Sequence, residues 1–294
     1  MIVVTTPTGD IGHQVVENLL HGNESIRVIA RKPSQLSAAV RERVEIVEGS
    51  HGDPTIIDEA LAGADSLFWL PPPYPQAPSL EAAYSDFARP ACAAIQKHGV
   101  KRVVSVSALG RGTELVANAG FVTATIAMDE LIASTGTNLR ALAMPSFMEN
   151  VLRQTDSIKN QGLLFSSIDP DRKAPTCATR DIAATAAKFL LDHSWTGQES
   201  AAVLGPEDLS FNEMAQIISE VLGKPVRCQY VPAEASKDRL REMGMSDAYA
   251  QGYIDMMVAK NHGLDNAEPR TPESSTPTSF RQWCEEVLKP AIQG

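Results

Sequence analysis

The first twelve residues, Met1 to Gly12, constrain the fold more than any other stretch. Ile2, Val3, Val4 and Thr5 make a β-branched run that reads as a buried strand. A tight turn of Thr6, Pro7, Thr8 and Gly9 follows, and a helical pattern starts near Ile11 with Val15, Val16, Leu19 and Leu20 along one face. Strand, glycine turn and helix in that order open a dinucleotide-binding unit. The free N–H groups and positive dipole end of the helix receive a pyrophosphate there. One part of the fingerprint is missing. Backbone and phosphate approach closely at the first glycine position, yet Thr6 stands there; Gly9 and Gly12 hold the second and third.

Strand and helix patterns alternate through the first half. Strands are expected over 25–30, 44–47, 65–70, 101–106 and 138–144. Helices are expected over 54–61 with Pro54 in the first turn, over 80–98 stopped by Gly99, and over 121–135 stopped by Gly136. Such alternation means βαβ units, a parallel sheet and right-handed crossovers. After Asn150 the rhythm changes. Short strands are expected over 162–168, 201–204 and 225–231, and helices over 180–192, 211–222 with Ser210 as N-cap, 234–260 and 280–288. Residues 265–279, rich in Pro, Ser, Thr and Glu, read as a loop.

A chain of 294 residues can build one large or two modest cores. Its net charge of −10, with no basic block, argues against nucleic acid as a direct partner. No apolar run approaches the ~20 residues that span a bilayer, and the sequence enters a strand at once, so neither membrane span nor leader peptide is expected. The four cysteines, Cys92, Cys177, Cys228 and Cys284, are far apart and show no metal-ligand spacing. The expectation is reduced thiols, no metal and a cytoplasmic location.

With these pieces in place the chain resembles the NmrA-like family, a branch of the atypical short-chain dehydrogenase/reductases. That family opens with a turn close to Thr-Gly-Ala-Thr-Gly-x-x-Gly, and here Thr5-Thr6-Pro7-Thr8-Gly9-Asp10-Ile11-Gly12 takes its place. Four further stretches are similar in order: Val28 to Arg31, His98 to Ser107, Pro145 to Asn150, and Gly205 to Ser210. The resemblance implies a Rossmann-type parallel sheet with helices on both faces and a smaller mixed α/β C-terminal region. It divides the chain into a nucleotide-binding domain over 1–150, with 176–205 returning to it, and a substrate-binding region over 151–175 and 206–294. It also implies NADP(H) or NAD(H) as cofactor. Members include quinone and enone reductases and redox sensors that bind a dinucleotide without turnover.

The residues refine that expectation. An NAD-specific fold places an acidic residue at the end of the second strand, on the ribose 2′-OH. Arg31 and Lys32 stand there instead, which suits a 2′-phosphate and predicts NADP(H) over NAD(H). Ligands sit outside the carboxyl ends of parallel strands. The expected cofactor contacts are therefore Thr6, Thr8, Gly9, Asp10, Ile11, Gly12, Arg31, Lys32, the Leu70-Pro71-Pro72 corner, Ser105, Ser107, Pro145 and Phe147. Ser105 and Ser107 share one face of their strand.

Short-chain dehydrogenases use Tyr and Lys four apart on a helix, the lysine lowering the phenol's pKa. No Tyr of this chain has Lys at that spacing, and the corresponding positions are Phe121 and Thr125. Hydride transfer to a carbonyl, quinone or enone would then need protonation from elsewhere, with Tyr74, Ser107 and Asn150 as candidate donors. An apolar substrate pocket is expected from Phe121, Met128, Phe147, Met148 and Tyr253, with Trp69 beside them. His13, His51 and His98 read as surface or helix-end residues. The alternative to a reductase is an NADP(H)-binding sensor. Small molecules are the expected partners, and a homodimer or a protein partner stays open.

Overall fold

The structure, a computed structural model, describes residues 1–294. The chain forms two compact units, the first made of Met1–Ser107, Ala124–Ala143 and Ile182–Ala201. The second comprises Ala108–Thr123, Met144–Asp181 and Ala202–Gly294.

The chain begins with β1 (Ile2–Val4), α1 (Asp10–Leu19), β2 (Ile26–Ala30), α2 (Ala38–Arg41), β3 (Glu45–Glu48) and α3 (Pro54–Leu61). It continues with β4 (Ser66–Trp69), α4 (Leu80–Ala83), α5 (Ser85–His98), β5 (Arg102–Ala108), α6 (Phe121–Ala133) and β6 (Asn138–Met144). Further along run β7 (Ser146–Phe147), α7 (Thr155–Gln161), β8 (Leu163–Ser166), β9 (Ala174–Cys177), α8 (Thr179–Leu191) and β10 (Gln198–Ala202). The chain closes with β11 (Asp208–Leu209), α9 (Phe211–Leu222), β12 (Arg227–Tyr230), α10 (Lys237–Glu242), α11 (Asp247–Asn261), α12 (Phe280–Trp283) and α13 (Lys289–Gln293).

Seven strands make the main sheet, in the order β10-β6-β5-β4-β1-β2-β3. β1 lies parallel between β2 and β4, and β2–β3 and β4–β5 are parallel too. Sequence order reverses at β1, so the topological switch point lies between β1 and β4, where an open α/β sheet leaves its ligand crevice. The strands read as continuous apolar runs because both faces are covered, as parallel sheets require. Val3, Ile29, Leu67, Trp69 and Val103 form one core with Ile57 and Leu61 of α3, Ala88, Ala91 and Ile95 of α5, and Met128 and Ile132 of α6.

The second unit has its own core, in which Met148, Val151, Ile158 and Leu164 pack with Met214 and Ile218 of α9 and with Phe280, Trp283 and Leu288. Two small sheets flank it, β11-β9-β7 and β12-β8. Glu149 ties three of its segments together: its carboxylate accepts from Thr179 N–H at 3.0 Å, Thr179 Oγ1 at 2.9 Å and Trp283 Nε1 at 3.2 Å.

The α/β architecture with its parallel sheet follows the expectation, and the departures have local causes. The helix expected over 80–98 is interrupted at Tyr84, at φ −119° and ψ −76°, so α4 and α5 are separate. The stretch 234–260 divides between α10 and α11 because Gly244 turns left-handed at φ +85° and Ser246 caps α11. The strand expected over 201–204 lies earlier, as β10, and Leu204 bridges to Ser275 instead. The expected last helix holds a π turn over Cys284–Leu288. Residues 265–279 are an anchored loop: Thr278 donates through N–H and Oγ1 to Asp181, at 3.0 and 2.9 Å.

Candidate functional site

The first unit brings the ends of β1, β2, β4 and β5, neighbours in the sheet, to one edge around the switch point. After β1, Thr6 adopts φ +48°. This left-handed conformation is what a fingerprint glycine supplies at no steric cost, and for a β-branched residue it costs roughly 1–3 kcal/mol. The turn therefore keeps its glycine-like path despite the threonine. Thr6 Oγ1 is buried and has no hydrogen-bond partner in the protein. A buried orphan hydroxyl costs about 1–3 kcal/mol, a cost relieved when a ligand oxygen meets it.

The other two glycines have separate jobs. Gly9 is the N-cap of α1 at φ −87°, ψ 167°, with no side-chain cap on the helix. The first N–H groups of α1 are thus left for another acceptor. Gly12 lets α1 approach the turn, because a Cβ there would run into the Thr6 carbonyl oxygen. Thr8 and Asp10 are exposed on the rim. Asp10 places a negative side chain in the first turn of α1, which stabilises the helix dipole in the free protein and opposes an anion by a screened amount. Ile11 is buried and holds α1 to the sheet.

The end of β4 is locked from both sides. Thr5 Oγ1 accepts the Leu70 N–H at 2.9 Å and donates toward the Phe68 and Leu70 carbonyls, at 3.0 and 3.3 Å. His51 Nε2 lies 3.1 Å from the Leu70 carbonyl oxygen. The imidazole is buried, edge-on to Trp69 at 5.2 Å and to Phe87 at 5.0 Å between centroids. Burial lowers its pKa to about 4; the Leu70 bond raises it in part and the Arg31 charge lowers it further. The surface role expected of His51 is thus corrected: its ring fills the angle behind the Leu70-Pro71-Pro72 corner. His13 is exposed, with Nδ1 on the Gly9 carbonyl at 2.8 Å, and His98 ends α5 beside Asp58 at 2.9 Å. Arg31 and Lys32 follow β2, both exposed. Neither has a carboxylate partner among the ion pairs of the protein.

The end of β5 carries a polar cluster that sequence reading missed. Asp129 on α6 is 1% exposed, and Ser105 Oγ donates to its Oδ1 at 2.7 Å while Ser107 Oγ donates to its Oδ2. The two serines share a strand face, as their spacing predicts. The available signal for Asp129 was an acidic pair, Asp129-Glu130, set between the apolar stretches Ile126-Ala127-Met128 and Leu131-Ile132. Ser107, a candidate proton donor by sequence, directs its hydroxyl proton to Asp129 in this structure.

Two of the expected pocket residues turn out to be packing residues. Met128 is fully buried and its sulfur takes the Trp69 Nε1–H at 3.3 Å, so both belong to the sheet core. Met148 is 1% exposed in the core of the second unit.

The second unit holds the rest. Pro145 is buried and Phe147, on β7, is half-buried. Phe121 meets Tyr249 of α11 with ring centroids 4.6 Å apart. Gly120, at φ +54°, makes that approach feasible, since a Cβ on it would strike the Gly252 carbonyl. Tyr253 sits one turn beyond Tyr249. Burial raises both phenol pKa values, and the charge of exposed Arg153 pulls both down in part. The stretch from Tyr249 to Met257 is readable from sequence as a helix that could cover the pocket, but Arg153 is not, because nothing local links a residue near position 150 to α11. Tyr74 is 44% exposed and Asn150 is exposed too.

Known proteins are similar to this chain in sequence and in fold. A reductase of (4-alkanoyl-5-oxo-2,5-dihydrofuran-3-yl)methyl phosphate from Streptomyces griseus is 30% identical over 243 residues, covering 82% of this chain and 80% of the relative. An NAD(P)H azoreductase from Xenophilus azovorans is 27% identical over 252 residues, 85% of this chain and 84% of the relative. The crystal structure of an NADPH-dependent quinone oxidoreductase from Escherichia coli, complexed with NADPH, superposes with a TM-score of 0.79 at 20% identity, covering 98% of this chain and all of that one. A model of the NmrA-like family matches residues 1–278, so the chain belongs to the NmrA-like family.

Proposed function

We propose that this protein is an NADPH-dependent oxidoreductase that reduces a small apolar carbonyl, quinone or enone compound. The observation that carries the reading is the turn after β1. Its left-handed Thr6, its uncapped helix N-terminus and its orphan hydroxyl fit a pyrophosphate. Thr6, Thr8, Gly9, Asp10, Ile11 and Gly12 would hold it. Unpaired Arg31, with Lys32, would take the 2′-phosphate, which favours NADP(H) over NAD(H). The Leu70-Pro71-Pro72 corner, Ser105, Ser107, Pro145 and Phe147 complete the proposed cofactor contacts. When bound, the nicotinamide supplies hydride; the chain's residues orient it and exclude water.

No Tyr is followed by Lys at the short-chain spacing, so a substrate whose reduced form is already delocalised fits best. The related reductase acts, by its name, on an oxo-dihydrofuran bearing an acyl group, a ring double bond conjugated to carbonyls. Phe121, Phe147 and Tyr253, joined by Tyr249, are the proposed apolar contacts. Residues 1–150 with 176–205 are proposed as the nucleotide-binding domain, and 151–175 with 206–294 as the substrate-binding region. All four cysteines are free, and no helix is long and apolar enough to cross a membrane. The same missing Tyr/Lys pair supports a second reading, an NADP(H) sensor without turnover.

The test has two stages. Calorimetric titration with NADPH and NADH should give tight binding of NADPH only. Thr6→Ala should weaken NADPH about fivefold without lowering the stability of the free protein, since it removes an orphan hydroxyl. NADPH consumption with a panel of quinones and enones then separates enzyme from sensor. Binding of neither nucleotide would overturn both readings.

A further inference from the structure

A buried carboxylate among apolar side chains is costly unless its oxygens are satisfied, and a leucine would fill the same place on α6 more cheaply. Asp129 nevertheless sits there at 1% exposure. Both of its oxygens receive serine protons, Oδ1 from Ser105 at 2.7 Å and Oδ2 from Ser107. A serine hydroxyl has one proton and two lone pairs. With that proton directed inward, each serine presents only lone pairs to anything else. The two serines are not equivalent. Ser105 is fully buried in register with Trp69 of β4, whereas Ser107 is 6% exposed at the carboxyl end of β5. Only Ser107 stands where an open α/β sheet receives its ligand.

We propose that Asp129 is a positioning residue that fixes Ser107 as a hydrogen-bond acceptor, so that the nicotinamide riboside half of the bound dinucleotide presents an N–H or O–H donor to Ser107 Oγ. The inference rests on the NADPH reading above and adds a polarity to one end of that site. It also removes Ser107 from proton donation to substrate. Ser105 serves as the second anchor of the carboxylate, which keeps Asp129 from rotating away when a ligand arrives.

The test is a double-mutant cycle on the full chain, using calorimetric affinities for NADPH and for adenosine 2′,5′-bisphosphate, which lacks the nicotinamide half. Asp129→Asn and Ser107→Ala should each weaken NADPH about tenfold, the value of one hydrogen bond. The double variant should bind NADPH no more weakly than Ser107→Ala alone, because Asp129 acts through that hydroxyl. Adenosine 2′,5′-bisphosphate should bind all variants within about twofold of wild type. Equal losses from Asp129→Asn in both backgrounds, or parallel losses for both ligands, would show a role in the fold only and overturn the proposal. Should Asp129→Asn fail to fold, Ser107→Thr and Ser107→Cys decide instead. The threonine keeps the acceptor and should retain affinity, whereas the cysteine should behave as the alanine does; the opposite order overturns the proposal. Wild type that binds neither ligand would sink the NADPH reading itself. Wild type that binds NADPH no more tightly than the bisphosphate would sink this inference alone.

Discussion

Arg31 and His51 show how a residue's charge state follows from its surroundings. Arg31 ends β2 exposed and has no carboxylate partner, so its guanidinium is available for a bidentate bond to a phosphate. Arg31→Ala should lower the NADPH affinity by about 10- to 100-fold, at roughly 1.4 kcal/mol per tenfold, and leave NADH little changed. Titration with the two nucleotides checks it, and an unchanged NADPH/NADH ratio defeats it. His51 is buried against Trp69 and Phe87, with its pKa lowered from 6.5 to about 4. The unfolded chain binds this proton near pH 6.5 and the folded chain only near pH 4. Stability from the neutral ring is therefore full above about pH 6.5 and falls as the pH drops toward 4, by up to about 3 kcal/mol. Denaturant titrations between pH 7 and 5, above the ordinary carboxylate range, should show this slope in wild type. His51→Gln should flatten it, and an equal slope in the variant would remove the His51 assignment. The arginine was legible in the sequence because its place after the second strand is fixed by chain order. The histidine was not, because its burial depends on the β4 corner 19 residues away.

Among the elements, α1 carries the sharpest constraint. The helix can approach β1 only because position 12 lacks a side chain: a Cβ on Gly12 would meet the Thr6 carbonyl oxygen. Gly12→Ala must push α1 away from the turn, which opens a core holding Val15, Val16 and Leu19. The expected cost is about 2–4 kcal/mol with loss of NADPH binding, measured by denaturant unfolding and calorimetry. A variant of wild-type stability and affinity would show that the helix has slack. The cap of α9 offers a contrast. Ser210 and Glu213 form a full capping box, with Ser210 Oγ accepting the Glu213 N–H at 3.2 Å and Glu213 accepting the Ser210 N–H at 2.9 Å. Ser210→Ala should cost about 1 kcal/mol and leave nucleotide affinity alone, since neither Ser210 nor Glu213 is among the proposed cofactor contacts. Element types were readable from period and caps. Their ends were less so: the Tyr84 break and the π turn at Cys284–Leu288 answer to packing that no local pattern announces.

For the molecule as a whole, nucleotide binding and folding are linked. A ligand that binds only the folded chain stabilises it by about 2.7 kcal/mol at one hundred times its dissociation constant. NADPH at that ratio should raise the melting temperature by a few degrees, while NADH at the same concentration should not, as thermal unfolding would show. Equal shifts would contradict the 2′-phosphate reading. The local pattern of the chain alone determined the alternation of strands and helices, the glycine turn with its flawed first position, and the basic residues after β2. These are near-neighbour properties, fixed by periodicity, propensity and spacing over a few residues. The pairing of Asp129 with Ser105 and Ser107 was decided only in three dimensions, as were the unpartnered hydroxyl of Thr6, the contact of Tyr249 with Phe121 and the removal of Met128 to the core. Each joins groups that are distant in sequence or depends on which side of a turn is buried. Burial and long-range contact arise only when the whole chain has packed.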